Sequence, residues 1–523
     1  MARILVTEEL APSGLAAMRK AGHDVDERLG LSPEELIQAV RGAAALVIRS
    51  ATHVTAEVIE AGTELVVVGR AGIGLDNVDT AAATARGVMV VNAPQSNILS
   101  AAEHAMALLL AQARNVPQAS AALKSGKWER SRWEGVELHG KVLGVVGLGR
   151  IGALVAQRAS AFGMRLAAYD PYVSAERARQ MGVTLMTLEE LVAEADFITI
   201  HVAKTKETVG LFGRELLAKA KPGLRIINAA RGGIVDEEAL ADAIRDGRLG
   251  GAGVDVFATE PTTESPLFDL DRVVVTPHLG ASTREAQDKA GATIAEQVVL
   301  ALAGEFVPFA VNVDASEASE TVRPFLPLAE QLGRIFAALS EGLPDALEIG
   351  YQGNLAEYDT RILTLSILKG ILTAVGDEPV SYVNGPQLAR ERGMQWRETK
   401  TSASADYVNL ISIRGGGHAV AGTLAGARGD ARIVMVDDHE VELPPARHLL
   451  VVRNDDRPGV VGRVATALGN AGCNIQNMAL GRSPHGATAL MILSTDEPVP
   501  PQVLAELASV EGLLDVHALT QPS

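Results

Sequence analysis

Residues 141–170, KVLGVVGLGRIGALVAQRASAFGMRLAAYD, constrain what this chain can fold into more than any other stretch. KVLGVVG is a short apolar, valine-rich run, as a strand buried on both faces of a parallel sheet requires. Gly147-Leu148-Gly149-Arg150-Ile151-Gly152 follows at once, and a helix pattern then runs to about Phe162 with Ile151, Leu154, Val155 and Ala159 on one face. RLAAYD reads as a second strand that ends in an acid. Each position has a physical job. Gly147 permits a sharp turn, Gly149 lets the backbone approach a pyrophosphate, and Gly152 lets helix and strand pack closely. The helix N-terminus offers free N–H groups and a partial positive charge to the phosphates. Asp170, about 20 residues on, can accept from both ribose hydroxyls and would repel a 2′-phosphate, which points to NAD rather than NADP. A glycine-rich turn alone could be a purely structural βαβ connection. Here strand, helix and acid are all in place.

With 523 residues the chain is long enough for three or four domains with sizeable cores. The net charge of −17, with no block of like charges and no basic tail, argues against nucleic acid or an anionic membrane as partner. The single cysteine, Cys473, rules out a disulfide scaffold or a cysteine-based metal site within one chain, and no metal is expected. Flanked by Gly472 and Asn474 in an apolar setting, Cys473 reads as a small buried side chain rather than a nucleophile. MARILVTEEL carries acids where a signal peptide would be apolar, and no run of 18 apolar residues appears, so a cytoplasmic protein that does not span a membrane is expected.

In order along the chain, residues 1–96 alternate strands and helices in a flavodoxin-like α/β pattern. Within them Ser32-Pro33-Glu34-Glu35 is a capping box with proline in the first turn. Residues 97–114 form a long helix with sparse charge, suited to burial between domains. An irregular arm at 126–140 leads into the dinucleotide unit. Further strands are expected at DFITIHV, RIINAA, GAGVDVF and VVVTPH, so that 97–284 form a Rossmann domain. A helix from about Ser282 to Ala303 crosses back, and 285–312 complete the first domain. The polar, acidic residues 311–322 read as a boundary. A mixed α+β domain spans 313–445 and shows no recognisable catalytic spacing. Residues 446–523 read βαββαβ, a ferredoxin-like split unit with a hairpin around 483–486. The fold class is therefore α/β: two doubly wound parallel-sheet domains, then an α+β domain and the ferredoxin-like unit.

Arg231, Glu260 and His278 each follow a strand of the Rossmann sheet. Ligands bind outside the carboxyl ends of such strands, so the three can converge near a nicotinamide. Moving a hydride to or from a carbon that bears oxygen needs a fixed cation, a group titrating near neutrality, and a carboxylate to orient that group. Arginine, histidine and glutamate suit these roles. Alone, each has a bland reading: a surface guanidinium, a turn acid before Pro261, a helix-entry histidine. Asp255, charged within the apolar GVDVF, is expected to meet a cation or the nicotinamide side.

GRAGIGLDNVD, GLGRIG, INAARGGIVDEEAL, GVDVFATEP and TPHLGAST together resemble the D-2-hydroxyacid dehydrogenases. RNDDRPGVVGRVATALGNAGCNIQNM is similar to a regulatory ACT domain. The whole layout is similar to the long-form branch of the family, whose members oxidise 3-phospho-D-glycerate with NAD at the first step of serine synthesis. The resemblance implies that 1–96 is a substrate domain and that 313–445 is the intervening domain, similar to an allosteric-substrate-binding domain. It implies that Arg231, Glu260 and His278 are catalytic. It also implies NAD contacts from Ile73, Arg150, Ile151, Asp170, Val202, Ala229, Ala230, Asp255, His278, Leu279, Gly280 and Ala281. The backbone of Ala71, Gly72, Ile73 and Gly74 would hold the substrate carboxylate, with Arg49, Ser50 and Asn97 also reaching substrate. Asn454, Asp456 and Asn474 match positions that bind serine as an effector; as turn residues they also have a bland reading. Lys127 and Arg130 on the arm would serve a neighbouring subunit, and a homo-oligomer, commonly a tetramer, is implied. Related chemistry on hydroxypyruvate, glyoxylate or 2-oxoglutarate is the alternative, and an NAD-sensing binding protein a third reading, against which the intact Arg–Glu–His set speaks.

Overall fold

The computed structural model describes residues 1–313, 319–340, 343–376, 380–404, 406–426, 428–437, 439–482 and 488–520. Four sheets follow one another along the chain. The first has five parallel strands in the spatial order Asp24–Glu27, Arg3–Val6, Ala45–Ile48, Val67–Arg70, Met89–Asn92. Strands Ala45–Ile48 and Met89–Asn92 are buried throughout, as strands covered by helices on both faces are, which is why they read as apolar runs. The capping box at Ser32 is formed, with the Ser32 hydroxyl and the Glu35 carboxylate each accepting from the other's backbone N–H. The helix Arg284–Leu302 crosses back onto this sheet and brings Ile294 and Val298 into its core. Bare α-carbons make that crossing possible, since a Cβ on Gly14 would lie 2.6 Å from the Gly291 carbonyl oxygen. Asn312 then ties the returning chain down, accepting from Val90 N–H and donating to the Val88 carbonyl at 2.9 Å each.

The second sheet has seven parallel strands in the order Val273–Val275, Gly251–Val254, Arg225–Asn228, Phe197–Ile200, Val142–Val146, Arg165–Tyr169, Val183–Leu185. Strand order reverses between Val142–Val146 and Phe197–Ile200, the point at which such sheets open a crevice for ligands. Helix Ile98–Arg114 packs beneath it and contributes Ala102, Ala105, Leu108 and Leu109 to the core. A second helix, Val116–Lys124, follows directly, with Asn115 at φ 52° serving as the end of one and the start of the other. Sequence patterning does not reveal this helix because none of its residues is buried, so no core-facing stripe marks it.

The third sheet is mixed: Gln395–Thr401 pairs parallel with Ala346–Gly353, and Asn409–Gly415, His418–Ala425, Asp430–Val436 and His439–Leu443 continue it antiparallel. Helices Leu326–Leu339 and Arg361–Val375 cover one face and touch backbone to backbone, a Cβ on Gly370 meeting the Glu330 carbonyl oxygen at 2.0 Å. The fourth sheet has the antiparallel order Ile475–Arg482, Ala489–Thr495, His448–Asn454, Leu513–Thr520, with helices Val460–Asn470 and Pro501–Ala508. Alternation along its strands divides its faces. Leu450, Val452, Met491 and Leu493 pack under the two helices, while Leu449, Val451, Leu490 and Ile492 join the core of the third sheet. The turn expected around 483–486 lies outside the described residues. Among the described residues, no helix is long and apolar enough to cross a membrane.

Candidate active site

The carboxyl ends of the first two sheets face each other, and side chains bridge them. Arg150 donates to the Pro94 carbonyl oxygen at 3.2 Å, and Arg231 Nε to Asp76 Oδ2 at 2.9 Å. On the second sheet, the glycine turn has the geometry a dinucleotide needs. Gly147 has φ 91°, and a Cβ there would lie 2.7 Å from the His201 carbonyl oxygen and 2.8 Å from Val202. A Cβ on Gly152 would sit 2.0 Å from the Gly147 carbonyl oxygen, so helix and turn pack at a distance only glycine allows. Gly149 is different, because nothing lies within 4 Å of where its Cβ would be. That space adjoins the start of helix Arg150–Ala161, whose N-terminus has no side-chain cap. An uncapped N-terminus over an open glycine is a phosphate cradle. The Asp170 carboxylate accepts from Leu148 N–H and Tyr172 N–H, 2.8 Å each, which fixes it at the end of its strand with lone pairs to spare for hydroxyls. The residues fit NAD.

His278 and Glu260 are in contact: Nδ1 of the ring lies 2.6 Å from Oε2. The other carboxylate oxygen accepts from Phe257 N–H at 2.8 Å. Burial alone would raise the Glu260 carboxyl, but the hydrogen bonds from His278 and Phe257 outweigh it and hold the group below its usual range. Arg231 sits on a neighbouring turn shaped by buried Asn228, which accepts from Ala230 N–H at 3.2 Å and donates to the Arg231 carbonyl at 3.1 Å. A Cβ on Gly232 would lie 1.7 Å from the Phe257 carbonyl oxygen, so the Arg231 turn is pressed against the segment that leads to Glu260.

Asp255 is fully buried, and its carboxylate is met by three neutral donors and one histidine. Thr276 Oγ1 donates at 2.6 Å, Leu279 N–H at 2.7 Å and Gly280 N–H at 2.9 Å, with His104 Nε2 at 3.0 Å. Burial pushes this carboxyl up, and the bonds from His104, Thr276 and Leu279 more than reverse that. Asp255 therefore ties down the loop that carries His278, which itself adopts φ 54°. The loop lies beside Ala229, whose carbonyl oxygen is 4.0 Å from the Cβ position of Gly280. Ala281 accepts from Thr283 N–H at 3.0 Å and closes the loop onto the returning helix.

On the first sheet, Arg49 and Ser50 lie on a loop held by one acid. Glu8 accepts from the N–H groups of Arg49 at 2.8 Å, Ala51 at 3.1 Å and Thr52 at 2.9 Å. Burial works against the Glu8 charge, and the hydrogen bonds from Thr52, Ala51 and Arg49 overcome it. The loop 71–74 differs from expectation. The Ala71 amide donates to the Ile48 carbonyl and the Gly72 amide to that of Arg70, both at 2.8 Å. Only the Ile73 and Gly74 amides remain for a ligand. The Ile73 carbonyl accepts from Asn92 at 2.7 Å. Asn97 has a buried Oδ1 with no hydrogen-bond partner, as a residue awaiting a ligand would.

Arg70 was not picked out from the sequence. It ends the strand Val67–Arg70 and is half-buried, its Nε enclosed without a partner. Burial first, and then the Arg231 charge, push its guanidinium down to about 10. Its signal was present, a charge at the carboxyl end of the apolar run VVVGR, as for Arg49.

The three candidate effector residues do not meet within one chain. Asn454 is at one end of its strand, beside Ala489, which in turn pairs with Arg482. Asn474 precedes Ile475, which pairs with Thr495 at the other end. Six residues of strand, about 20 Å, separate the two ends. Asn454 Oδ1 accepts from Asp456 N–H at 3.0 Å, and Asp456 pairs with Arg482 at 2.9 Å.

Comparison with known proteins places these features. Residues 106–280 match the NAD-binding domain of the D-isomer-specific 2-hydroxyacid dehydrogenases, 321–437 the D-3-phosphoglycerate dehydrogenase intervening domain, and 448–512 the ACT domain. The chain is 50% identical over 513 residues to D-3-phosphoglycerate dehydrogenase of Mycobacterium tuberculosis, covering 97% of each. To the protein of that name in Bacillus subtilis it is 38% identical over 528 residues, covering all of both. Among solved structures, the TT0316 protein of Thermus thermophilus matches with TM-score 0.56 at 37% identity, covering 59% of this chain and 99% of that one. D-lactate dehydrogenase of Aquifex aeolicus, complexed with NAD and lactic acid, matches with TM-score 0.52 at 26% identity, covering 58% and 96%.

Proposed function

This chain belongs to the D-3-phosphoglycerate dehydrogenase family of D-isomer-specific 2-hydroxyacid dehydrogenases, and from that premise we propose that it oxidises 3-phospho-D-glycerate to 3-phosphooxypyruvate with NAD, the first step of L-serine synthesis. The observation that carries the chemistry is the His278–Glu260 pair at 2.6 Å, beside a glycine cradle open to a dinucleotide.

His278 takes the C2 hydroxyl proton. Glu260 engages Nδ1, which leaves Nε2 for the substrate. The same carboxylate stabilises the imidazolium that forms. Arg231 holds the substrate carboxylate and the C2 oxygen, and the Ile73 and Gly74 amides support the carboxylate. Arg49 and Arg70 suit the phosphate, since guanidinium groups bind its oxygens in pairs. NAD, when bound, supplies the acceptor for the hydride that leaves C2. Gly147, Gly149, Gly152 and the amides that open helix Arg150–Ala161 would hold its phosphates and Asp170 its ribose, with Ile73, Ile151, Val202, Ala229, Ala230, Asp255 and residues 278–281 around the remainder.

The separation of Asn474 from Asn454 and Asp456 supports an effector site that closes only between two copies of the chain, with serine the ligand and a homo-oligomer the working form. The acidic balance fits a cytoplasmic enzyme. The test is NADH production from 3-phosphoglycerate, against NADH consumption with hydroxypyruvate, glyoxylate and 2-oxoglutarate. The expected outcome is the highest kcat/KM for the phosphorylated substrate. A preference for any unphosphorylated acid would replace the assignment of Arg49 and Arg70.

A further inference from the structure

Arg231 does more than face its own sheet. Its Nε donates to Asp76 Oδ2 at 2.9 Å, while one terminal nitrogen donates to the Ala230 carbonyl at 2.7 Å. Asp76 belongs to the first sheet's domain and lies just past the loop 71–74, 155 residues away in the chain. The guanidinium rests on bare backbone: a Cβ on Gly74 would lie 2.1 Å from the other terminal nitrogen and 2.9 Å from Asp76 Oδ2. Two acceptors on opposite sides of the cleft therefore fix a rigid, planar group. The free edge of that plane is next to Gly74, where the Ile73 and Gly74 amides are also available. Arg231 and Arg49 both act against the charge on half-buried Arg70, and Asp76 and Glu8 offset them.

We infer that Asp76 is a positioning residue for Arg231: it holds the guanidinium plane across the cleft, so the cation is in place only when the two parallel-sheet domains are closed. Gly74 is the surface that this arrangement needs. The inference rests on the proposed role of Arg231 at the substrate. The plain rival is a half-exposed ion pair of little consequence, with the two side chains 29% and 54% exposed.

The experiment uses the full chain and the variants Asp76→Ala, Asp76→Glu, Arg231→Lys and Asp76→Ala/Arg231→Lys. It measures kcat and KM for 3-phosphoglycerate, NADH affinity by fluorescence, and melting temperature. For Asp76→Ala, kcat should fall roughly 10- to 100-fold, as a misplaced catalytic group does, with NADH affinity unchanged. Asp76→Glu, which keeps a carboxylate, should recover part of the loss. The double variant should be no slower than Arg231→Lys alone, because Asp76 acts through Arg231. If Arg231→Lys is impaired but Asp76→Ala turns over normally, or if the two losses multiply, the positioning role is wrong while the active-site assignment stands. If Arg231→Lys itself turns over normally, both fall together.

Discussion

The His278–Glu260 pair gives the residue scale its sharpest expectation. Replacing His278 by alanine should lower kcat by about 10²- to 10⁴-fold, the usual worth of a positioned base, while NADH affinity measured by fluorescence stays the same. Glu260→Gln keeps the size and removes the charge, so it should lower kcat without abolishing it. A second histidine reports on pH. His201 follows the strand Phe197–Ile200 behind the glycine turn, bonded to the Thr199 hydroxyl at 2.9 Å. Burial pushes it down to about 4 from an ordinary value of 6.5. It is therefore neutral in the fold above about pH 4 but takes up a proton in the unfolded chain below about 6.5. Stability that is intact above pH 6.5 is lost progressively as pH falls toward 4. Urea unfolding of the parent and His201→Gln at pH 7.5 and 5.0 should show the parent losing more stability than the variant.

Elements explain why these residues arrive where they do. Strands rich in valine and isoleucine, each followed by a helix, can only build parallel sheets, and the carboxyl ends of those sheets become the site. Helix Arg150–Ala161 is aimed at its ligand by two glycines, one open and one closed. Gly152→Ala would place a methyl 2.0 Å from a backbone oxygen. Backbone cannot move aside as a flexible side chain can, so the turn itself must shift. NADH affinity should fall about tenfold or more, with stability reduced by about 1–3 kcal/mol, measured by fluorescence titration and chemical unfolding. Gly149→Ala meets no protein atom, so its cost should appear in NADH affinity and not in stability.

For the whole molecule, the last two sheets are one mechanical unit more than two. The fourth sheet lends one face to the core of the third, and Arg453 on its first strand pairs with Asp437 beside His418 of the third. The third in turn reaches the first domain, where the Ser381 hydroxyl donates to the Gly87 carbonyl at 3.1 Å and Val383 enters the core. The first, third and fourth sheets are thus packed in series, the third meeting the first domain at the amino end of the strand Met89–Asn92. If serine is the effector, Asp456→Ala removes a charge from its site. The serine concentration for half-maximal effect should then rise by about 10- to 100-fold, the worth of a hydrogen bond to a charged group. Initial rates across a serine titration measure this, and an unchanged response would remove Asp456 from the effector site.

Local chemistry made much of this legible from residues alone. Period-two and period-3.6 patterns marked the strands and core helices, the capping box placed Ser32, and the glycine turn declared its ligand, because each depends on neighbours within a few residues. The spacing of Arg231, Glu260 and His278 after successive strands was enough to nominate them. Other features were not legible, for stated reasons. Helix Val116–Lys124 buries nothing and leaves no stripe. Arg70 stands out only once the fold brings it beside Arg231 and Glu8, which are 161 and 62 residues away. The partners of Asp255, the two spent amides of the loop 71–74, the hold of Asp76 on Arg231 and the separation of Asn474 from Asn454 are all contacts between distant segments. A single sequence states which groups are available. Only the packing of one sheet against another decides which of them meet, since burial and hydrogen-bond geometry are properties of the assembled surfaces.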